Sequence, residues 1–511
     1  MTRAITNHVG IIGGGTAGYF TALALRRCYP DLRVTLIESS KIPIIGVGEA
    51  TTPPLVAFLH GMLGLDIHDL YRDVLPTWKL GIHFAWGPPG GFNYPFSWGD
   101  LADAEAHDGS IERASIGSLL MRAKRAPMVE RDGELVSLLP SVRFAYHLDN
   151  RRFVRWLKKH AERAGVEYLD AEIADVVVRA GGEGEPEVDH LVTKDNQRLS
   201  FGFVVDCTGF RSLVVGKTLG SPFHSYASTL YCDRACVADV PHDGTVKPYT
   251  LAETMSSGWC WNIPMRDCDH RGYVFSSAFC TEEQAAEEMR AKNPGMSEPW
   301  FVKFRSGRHE HFWRGNTVSI GNAYGFVEPL ESTALHMVIV EITRLVRLLD
   351  ADRDGTVDRD RGAVNQRIGA HWDYLRWFLG VHYRFNRRLD TPFWQHCRTE
   401  VDIGDFAAVV EDFQRLGPLT SRGVPRPPDA IFGPGGIDIM LLGQQVRPGS
   451  FAPSTDTATW NAKCAERGAI LARAVPTHVA FDELARRPEL LDELVSGERS
   501  WVTEMTRDLL A

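Results

Sequence analysis

The sequence predicts an α/β protein in which a nucleotide-binding βαβ core is joined to a second, mainly helical part. Three observations at the start of the chain carry that prediction. "HVGIIGGGTAGYFTALALRRCYPDLRVTLIES" reads as an apolar strand, a glycine turn, a helix with Ala and Leu on one face, and a second apolar strand. Gly13, Gly15 and Gly18 complete G-x-G-x-x-G at the turn, around Thr16 and Ala17. Glu38 ends the second strand, twenty residues after Gly18. The glycines serve a tight turn, close approach of backbone to a pyrophosphate and helix-to-strand packing, and an acid at that distance accepts from ribose hydroxyls. The pattern is Rossmann-like.

Later segments supply further pieces of the same unit. "VEYLDAEIADVVVRA" and "HLVTKDNQRLSFGFVVDCTGF" read as a β-meander running into an apolar strand that exits through Asp206, Cys207, Thr208 and Gly209. "NTVSIGNAYGFVEPLESTALHMVIVEITRLVRLL" reads as strand, a glycine turn at Gly321, loop, and a long amphipathic helix starting near Ser332. The nucleotide-binding unit is therefore expected from ranges 1–80, 150–230 and 300–350, and the substrate-binding part from 81–149, 231–299 and 351–511. "NRRFVRWLKKH" is expected to be a helix with Phe153, Val154 and Trp156 inward and its basic residues in solvent. The aromatic-rich "AHWDYLRWFLGVHYRFNRRLDTPFW" reads as core helix. Beyond about residue 415 the chain turns Pro- and Gly-rich, with helical character expected again after Pro476.

Composition bounds the function. A chain of 511 residues, 44% apolar and 24% charged, is an ordinary globular protein with room for a large core. A net charge of -9 excludes a general nucleic-acid or membrane-surface binder, which needs a dominant basic field. No apolar run reaches membrane-spanning length and the first residues do not read as a signal peptide, so a cytoplasmic protein is expected. Nine scattered cysteines, an odd count, fit reduced thiols, and the spacing of Cys232 and Cys236 gives no zinc pattern, so no metal site is expected.

The chemistry lies in short motifs. "GWCWNIP", Gly258 to Pro264, puts Trp259, Trp261 and Ile263 on one face of a strand and ends the ladder at Pro264, which reads as a half-buried strand. To this are added "GVGEAT" (Gly46 to Thr51), "KLGI" (Lys79 to Ile82) and "GFVEPLEST" (Gly325 to Thr333). With the glycine signature, these motifs resemble those of flavin-dependent halogenases of the tryptophan-halogenase family. The resemblance covers roughly residues 8 to 400 and implies an FAD-binding fold of the GR2-type flavin monooxygenase kind.

It also implies an activity: FADH2, O2 and chloride or bromide yield hypohalous acid, which is delivered to an electron-rich aromatic ring. The cofactor contacts then fall on Gly13, Gly15, Thr16, Ala17, Gly18, Glu38, Gly48, Glu49, Ala50, Gly209, Gly321, Pro329 and Leu330. Lys79 becomes the delivery group, as an ammonium that hydrogen-bonds the hypohalous acid or as an amine that forms a haloamine. Glu331 becomes the base for the ring proton, ahead of Glu328. The halide falls on Ser332, Thr333 and Ala334, where the first amides of a helix and its dipole attract an anion. The family usually has glycine where Ala334 stands, a departure that bears on halide size. Trp259, Trp261, Ile263 and Pro264 form a barrier between flavin and substrate, and Tyr94 and Phe96 in "GFNYPFSW" are the ring-stacking candidates.

Members acting on free tryptophan carry a Tyr- and Trp-rich C-terminal segment, whereas "GGIDIMLLGQQV" (Gly435 to Val446) has no aromatic residue. A larger or scaffold-tethered indole or phenol is therefore expected. Nothing resembles a second dinucleotide fold, so a separate flavin reductase is the expected partner, and monomer and homodimer both stay open. The rival readings are an FAD-dependent aromatic monooxygenase and a non-catalytic flavin-binding protein.

Overall fold

The computed structural model describes residues 7–42, 48–181, 184–242, 244–353, 361–427, 430–497 and 500–510. Gly46 and Val47 of the GVGEAT motif lie outside them.

The opening βαβ unit forms as expected: strand His8–Ile12, helix Thr16–Cys28 and strand Arg33–Glu38, the strands parallel with Val9 beside Val34 and Ile11 beside Leu36. Both strands are nearly continuous apolar runs because helices cover the sheet. The sheet has six strands in the order 167–170, 33–38, 8–12, 203–206, 317–319, 313–314. Its strands come from distant parts of the sequence, and the meander of 173–180, 186–193 and 198–199 forms a separate three-stranded sheet. The helix Asn150–Arg163 buries Phe153, Val154 and Trp156, as its pattern requires.

The second part is not only helical. A seven-stranded sheet runs 300–303, 234–240, 269–275, 258–264, 250–255, 81–85, 92–95, so the 231–299 block supplies four of its strands. The tryptophan strand, Gly258–Pro264, lies in the middle and is buried at every position, where sequence alone suggested burial on one face. Both faces are covered. Trp259, Trp261 and Ile263 join the main core, while Cys260 packs with Tyr273, Phe275 and Met289 on the opposite side, beneath helix Glu282–Lys292. Trp261 pairs across strands with Gly272, and a Cβ there would lie 1.9 Å from the indole, so the bulky residue depends on the absent one.

The long helix Ala334–Arg353 and the helix Arg361–Phe385 connect the two parts. The C-terminal region is more ordered than its composition suggests. Helices Pro434–Gly443 and Thr457–Ala472 both precede Pro476, and the first is entirely buried from Gly435 to Gly443 because its glycines let Trp98, Tyr94 and Phe92 pack against the backbone. All nine cysteines are free thiols. Among the described residues no helix is long and apolar enough to cross a membrane.

Replacing Gly272 by alanine forces the Trp261 ring out of its place. The expected loss is about 1–3 kcal/mol, typical of overpacking, read as a lower urea midpoint; an unchanged midpoint contradicts this packing.

Candidate active site

The nucleotide end is built by contrast among glycines. A Cβ on Gly13, whose φ is +117°, would meet the Cys207 carbonyl oxygen at 2.2 Å, and one on Gly18 would meet the Gly13 oxygen at 1.9 Å. These two serve the protein's own packing. Gly15, at the start of helix Thr16–Cys28, has nothing within 4 Å, so its open side leaves room for a ligand at the helix N-terminus. Gly209, with φ +62°, is equally open. Sequence reading passed over Gly14, where a Cβ would strike the Glu38 carboxyl group. Glu38 accepts a hydrogen bond from Tyr19 at 2.8 Å, which fixes one carboxylate oxygen. Gly48 packs on His270, Glu49 and Ala50 pair with Leu148 and His147, and Pro329 and Leu330 form a 3₁₀ turn just before the long helix. The Gly321 amide donates to Glu341 at 2.6 Å, and burial raises the Glu341 carboxyl to about 8. The open, positively polarised turn beside Gly15 fits a dinucleotide such as FAD.

The second cluster is centred on Lys79, at the end of strand Thr77–Lys79. Lys79 is 0% exposed, and its Nζ donates to the Thr51 carbonyl at 2.9 Å and to Ser332 Oγ at 2.6 Å. Burial lowers its pKa to about 7 against the opposing pull of Glu331. The Phe96 ring centroid is 5.3 Å from Nζ. Ser332 has φ +57°, an uncommon conformation for a residue with a side chain, and its amide donates to Pro329 O. Grouped from sequence with the halide residues, Ser332 is thus a lysine partner with its amide already used. Thr333 and Ala334 stand at the helix start, where the first amides lack intrahelical acceptors. The Thr333 Oγ1 is buried without a hydrogen-bond partner among the described residues.

Glu331 is buried, and its Oε1 lies 2.6 Å from His382 Nε2. The other ring nitrogen, Nδ1, is 2.8 Å from the Phe378 carbonyl and must donate to it, since a carbonyl only accepts. A single proton therefore bridges Glu331 and His382, as a neutral pair or an ion pair. Glu328 faces elsewhere. Its Oε2 accepts from Trp259 Nε1 at 2.6 Å and from the Tyr383 hydroxyl, while burial raises its pKa to about 7. It anchors the tryptophan strand, and the Trp259 and Trp261 rings stand 6.1 Å apart at 58°. At the far end of that strand Thr77 Oγ1 donates to the Pro264 carbonyl at 2.7 Å, tying it to the lysine strand. Tyr94 is 1% exposed, edge-on to Phe84 and Phe432, with its hydroxyl against Gly436.

Among known proteins, the family model described as tryptophan halogenase matches residues 8–459 of this chain. The chain belongs to the tryptophan halogenase family. It is a flavin-dependent halogenase by that membership. It is 33% identical to the 7-chloro-L-tryptophan 6-halogenase KtzR of Kutzneria sp. over 81% of this chain and 86% of the relative. Among solved structures it resembles MibH, a lanthipeptide tryptophan 5-halogenase, with a TM-score of 0.93, 43% identity and coverage of 99% of each chain. It also resembles BrvH, a flavin-dependent halogenase from Brevundimonas sp., with a TM-score of 0.81 and 31% identity over 94% of this chain and 99% of that one.

Sequence reading of this halogenase missed His382, Tyr383 and Thr51 as partners. His382 and Tyr383 sit in the aromatic helix read as core, and Thr51 acts through its carbonyl, which carries no side-chain signal.

A lysine with a lowered pKa costs stability fully below about pH 7, because the folded state must then bury the ammonium. The cost fades as pH rises to the ordinary lysine value near 10.4. Lys79→Met is therefore expected to be more stable than wild type at pH 6, by a margin on the order of a few kcal/mol that narrows toward pH 10 in urea melts.

Proposed function

We propose that this halogenase installs chlorine or bromine on the indole of a tryptophan held within a peptide, with Lys79 delivering hypohalous acid and Glu331 receiving the ring proton. The observation that carries the reaction is the burial of Lys79 on two oxygen acceptors, one of them at the start of the long helix. Similarity over its whole length to a halogenase named for a lanthipeptide supports the substrate class, and so does the non-aromatic helix at 434–443.

Bound as FADH2, the flavin supplies hypohalous acid from O2 and halide. The open turn at Gly15, the residues at Gly209 and Gly321, and the stretch from Gly48 to Ala50 would hold it. Thr333 and Ala334 would hold the halide through the free amides of the helix start. The tryptophan strand keeps the larger substrate away from the flavin while a molecule as small as hypohalous acid passes. Lys79 spends two N–H groups on Thr51 and Ser332, so the ammonium has a third for the hypohalous oxygen. With a pKa near 7 it is acidic enough to protonate that oxygen as the oxygen–halogen bond breaks and the carbon–halogen bond forms, leaving water. The free carboxylate oxygen of Glu331 takes the proton lost by the ring carbon, with the charge shared by His382, and that proton restores Lys79. Phe96, beside Nζ, would stack on the indole.

On this reading the flavin-binding unit is drawn from 1–80, 150–230 and 300–350, which contain the strands of the six-stranded sheet, while strand 300–303 belongs to the seven-stranded sheet. Reduced flavin would come from a separate reductase.

Mass spectrometry of a tryptophan-containing lanthipeptide precursor, incubated with the protein, FAD, a flavin reductase, NADH, O2 and halide, tests the reading. A halogen isotope pattern on tryptophan is expected, absent without halide and absent in Lys79→Ala and Glu331→Gln. An oxygenated product instead would assign a monooxygenase. The rate of the halogenation step is expected to fall as pH rises through about 7, where Lys79 loses the proton it must give; a rise would assign its lone pair, and hence a haloamine. Trp259→Ala together with Trp261→Ala is expected to give hydroxylated product or lose halogenation, and a double variant that does neither overturns the barrier.

A further inference from the structure

Beyond the flavin and lysine clusters, one group of ligand-type side chains has no part in the chemistry above. Asp239, Cys268 and His270 bring a carboxylate oxygen, a thiol sulfur and an imidazole nitrogen within 4.8 Å of one another. Their convergence follows from strand geometry. Cys268 and His270 are two residues apart at the start of strand Asp269–Phe275, so they point to one face. Asp239, on the neighbouring antiparallel strand Arg234–Val240, stands directly opposite His270. Side chains paired across strands share a face as well.

Two further observations point to a ligand. All three residues line a cavity of about 220 Å³. Asp239 Oδ1 and His270 Nδ1 lie against each other as an ion pair, so two of the three donor atoms already converge at the cavity. The thiol stands near the carboxylates of Asp149, Asp267 and Asp269 besides Asp239, while Arg151, Arg152 and Arg266 line the same cavity. Of the nearby cations, Arg152 is 3.7 Å from Asp267 and Arg266 lies over the Phe481 ring.

We propose that Asp239, Cys268 and His270 bind one divalent transition-metal ion of the zinc type. Thiolate and imidazole ligands select such an ion over calcium or magnesium, which take oxygen ligands at these sites. Small side-chain rotations close the donor set on one ion with bonds of about 2.0–2.3 Å, and the cavity leaves the fourth tetrahedral position to water. The site also touches the flavin end. A Cβ on Gly48 would meet His270 Cδ2 at 2.7 Å, so the ring that holds the ion lies against the GVGEAT segment. Metal binding fixes that ring and with it the edge of the flavin loop. The inference is independent of the substrate reading.

Titrating the metal-free full-length protein with Co2+ tests the site. One Co2+ per chain is expected, with a thiolate-to-cobalt charge-transfer band in the near ultraviolet that excess Zn2+ abolishes. The band is expected to vanish in Cys268→Ser, and affinity to fall at least tenfold in Asp239→Asn and His270→Asn, with cooperative thermal unfolding retained. If Cys268→Ser does not fold, Cys268→Ala takes its place. Absence of the band in the wild-type protein, or its persistence in the Cys268 variant, overturns the proposal.

Discussion

A primary ammonium group leaves water only where oxygen acceptors replace its hydration, and that requirement organises the packing around Lys79. Lys79 is completely buried, so its surroundings must supply what solvent would. They do so from two directions: the Thr51 carbonyl at the end of the GVGEAT motif, and the Ser332 hydroxyl on the turn before the long helix. Ser332 reaches the lysine from a left-handed backbone conformation, a local cost offset by the contacts it enables. The same burial draws the lysine into the range where it exchanges protons near neutrality. One desolvation cost thus fixes the position of the group and tunes its acidity.

The long helix Ala334–Arg353 links the two clusters. Its N-terminus follows the turn carrying Glu331 and Ser332, and one side chain further along, Glu341, accepts from the amide of Gly321 and from the indole of Trp372. The arrangement makes the helix a common frame for the nucleotide end and the lysine end.

The fold's nucleotide core was legible in the sequence because each strand there has both faces covered and the turn demands glycine, so pattern and structure coincide. Lys79, Glu331 and the tryptophan strand were legible only as motifs. Their partners were not. Trp259 depends on Glu328, Glu328 on Tyr383, and Glu331 on His382, pairs separated by 51 to 69 positions whose encounter is a property of tertiary packing. The strand's full burial escaped notice because a period of two reports only which face is alike, and the Cys260 side is apolar too. In the C-terminal region, proline and glycine suggested loop, yet Gly435, Gly436 and Gly443 are small because aromatic rings lie against the helix they belong to.

The hydrogen bond from Thr77 to the Pro264 carbonyl joins the end of the tryptophan strand to the strand that carries Lys79 two residues later. The tryptophan strand and the lysine strand therefore share one anchor, like a door and its latch hung on the same post. A substitution that tilts the tryptophan strand therefore also shifts the strand on which the Lys79 amine stands.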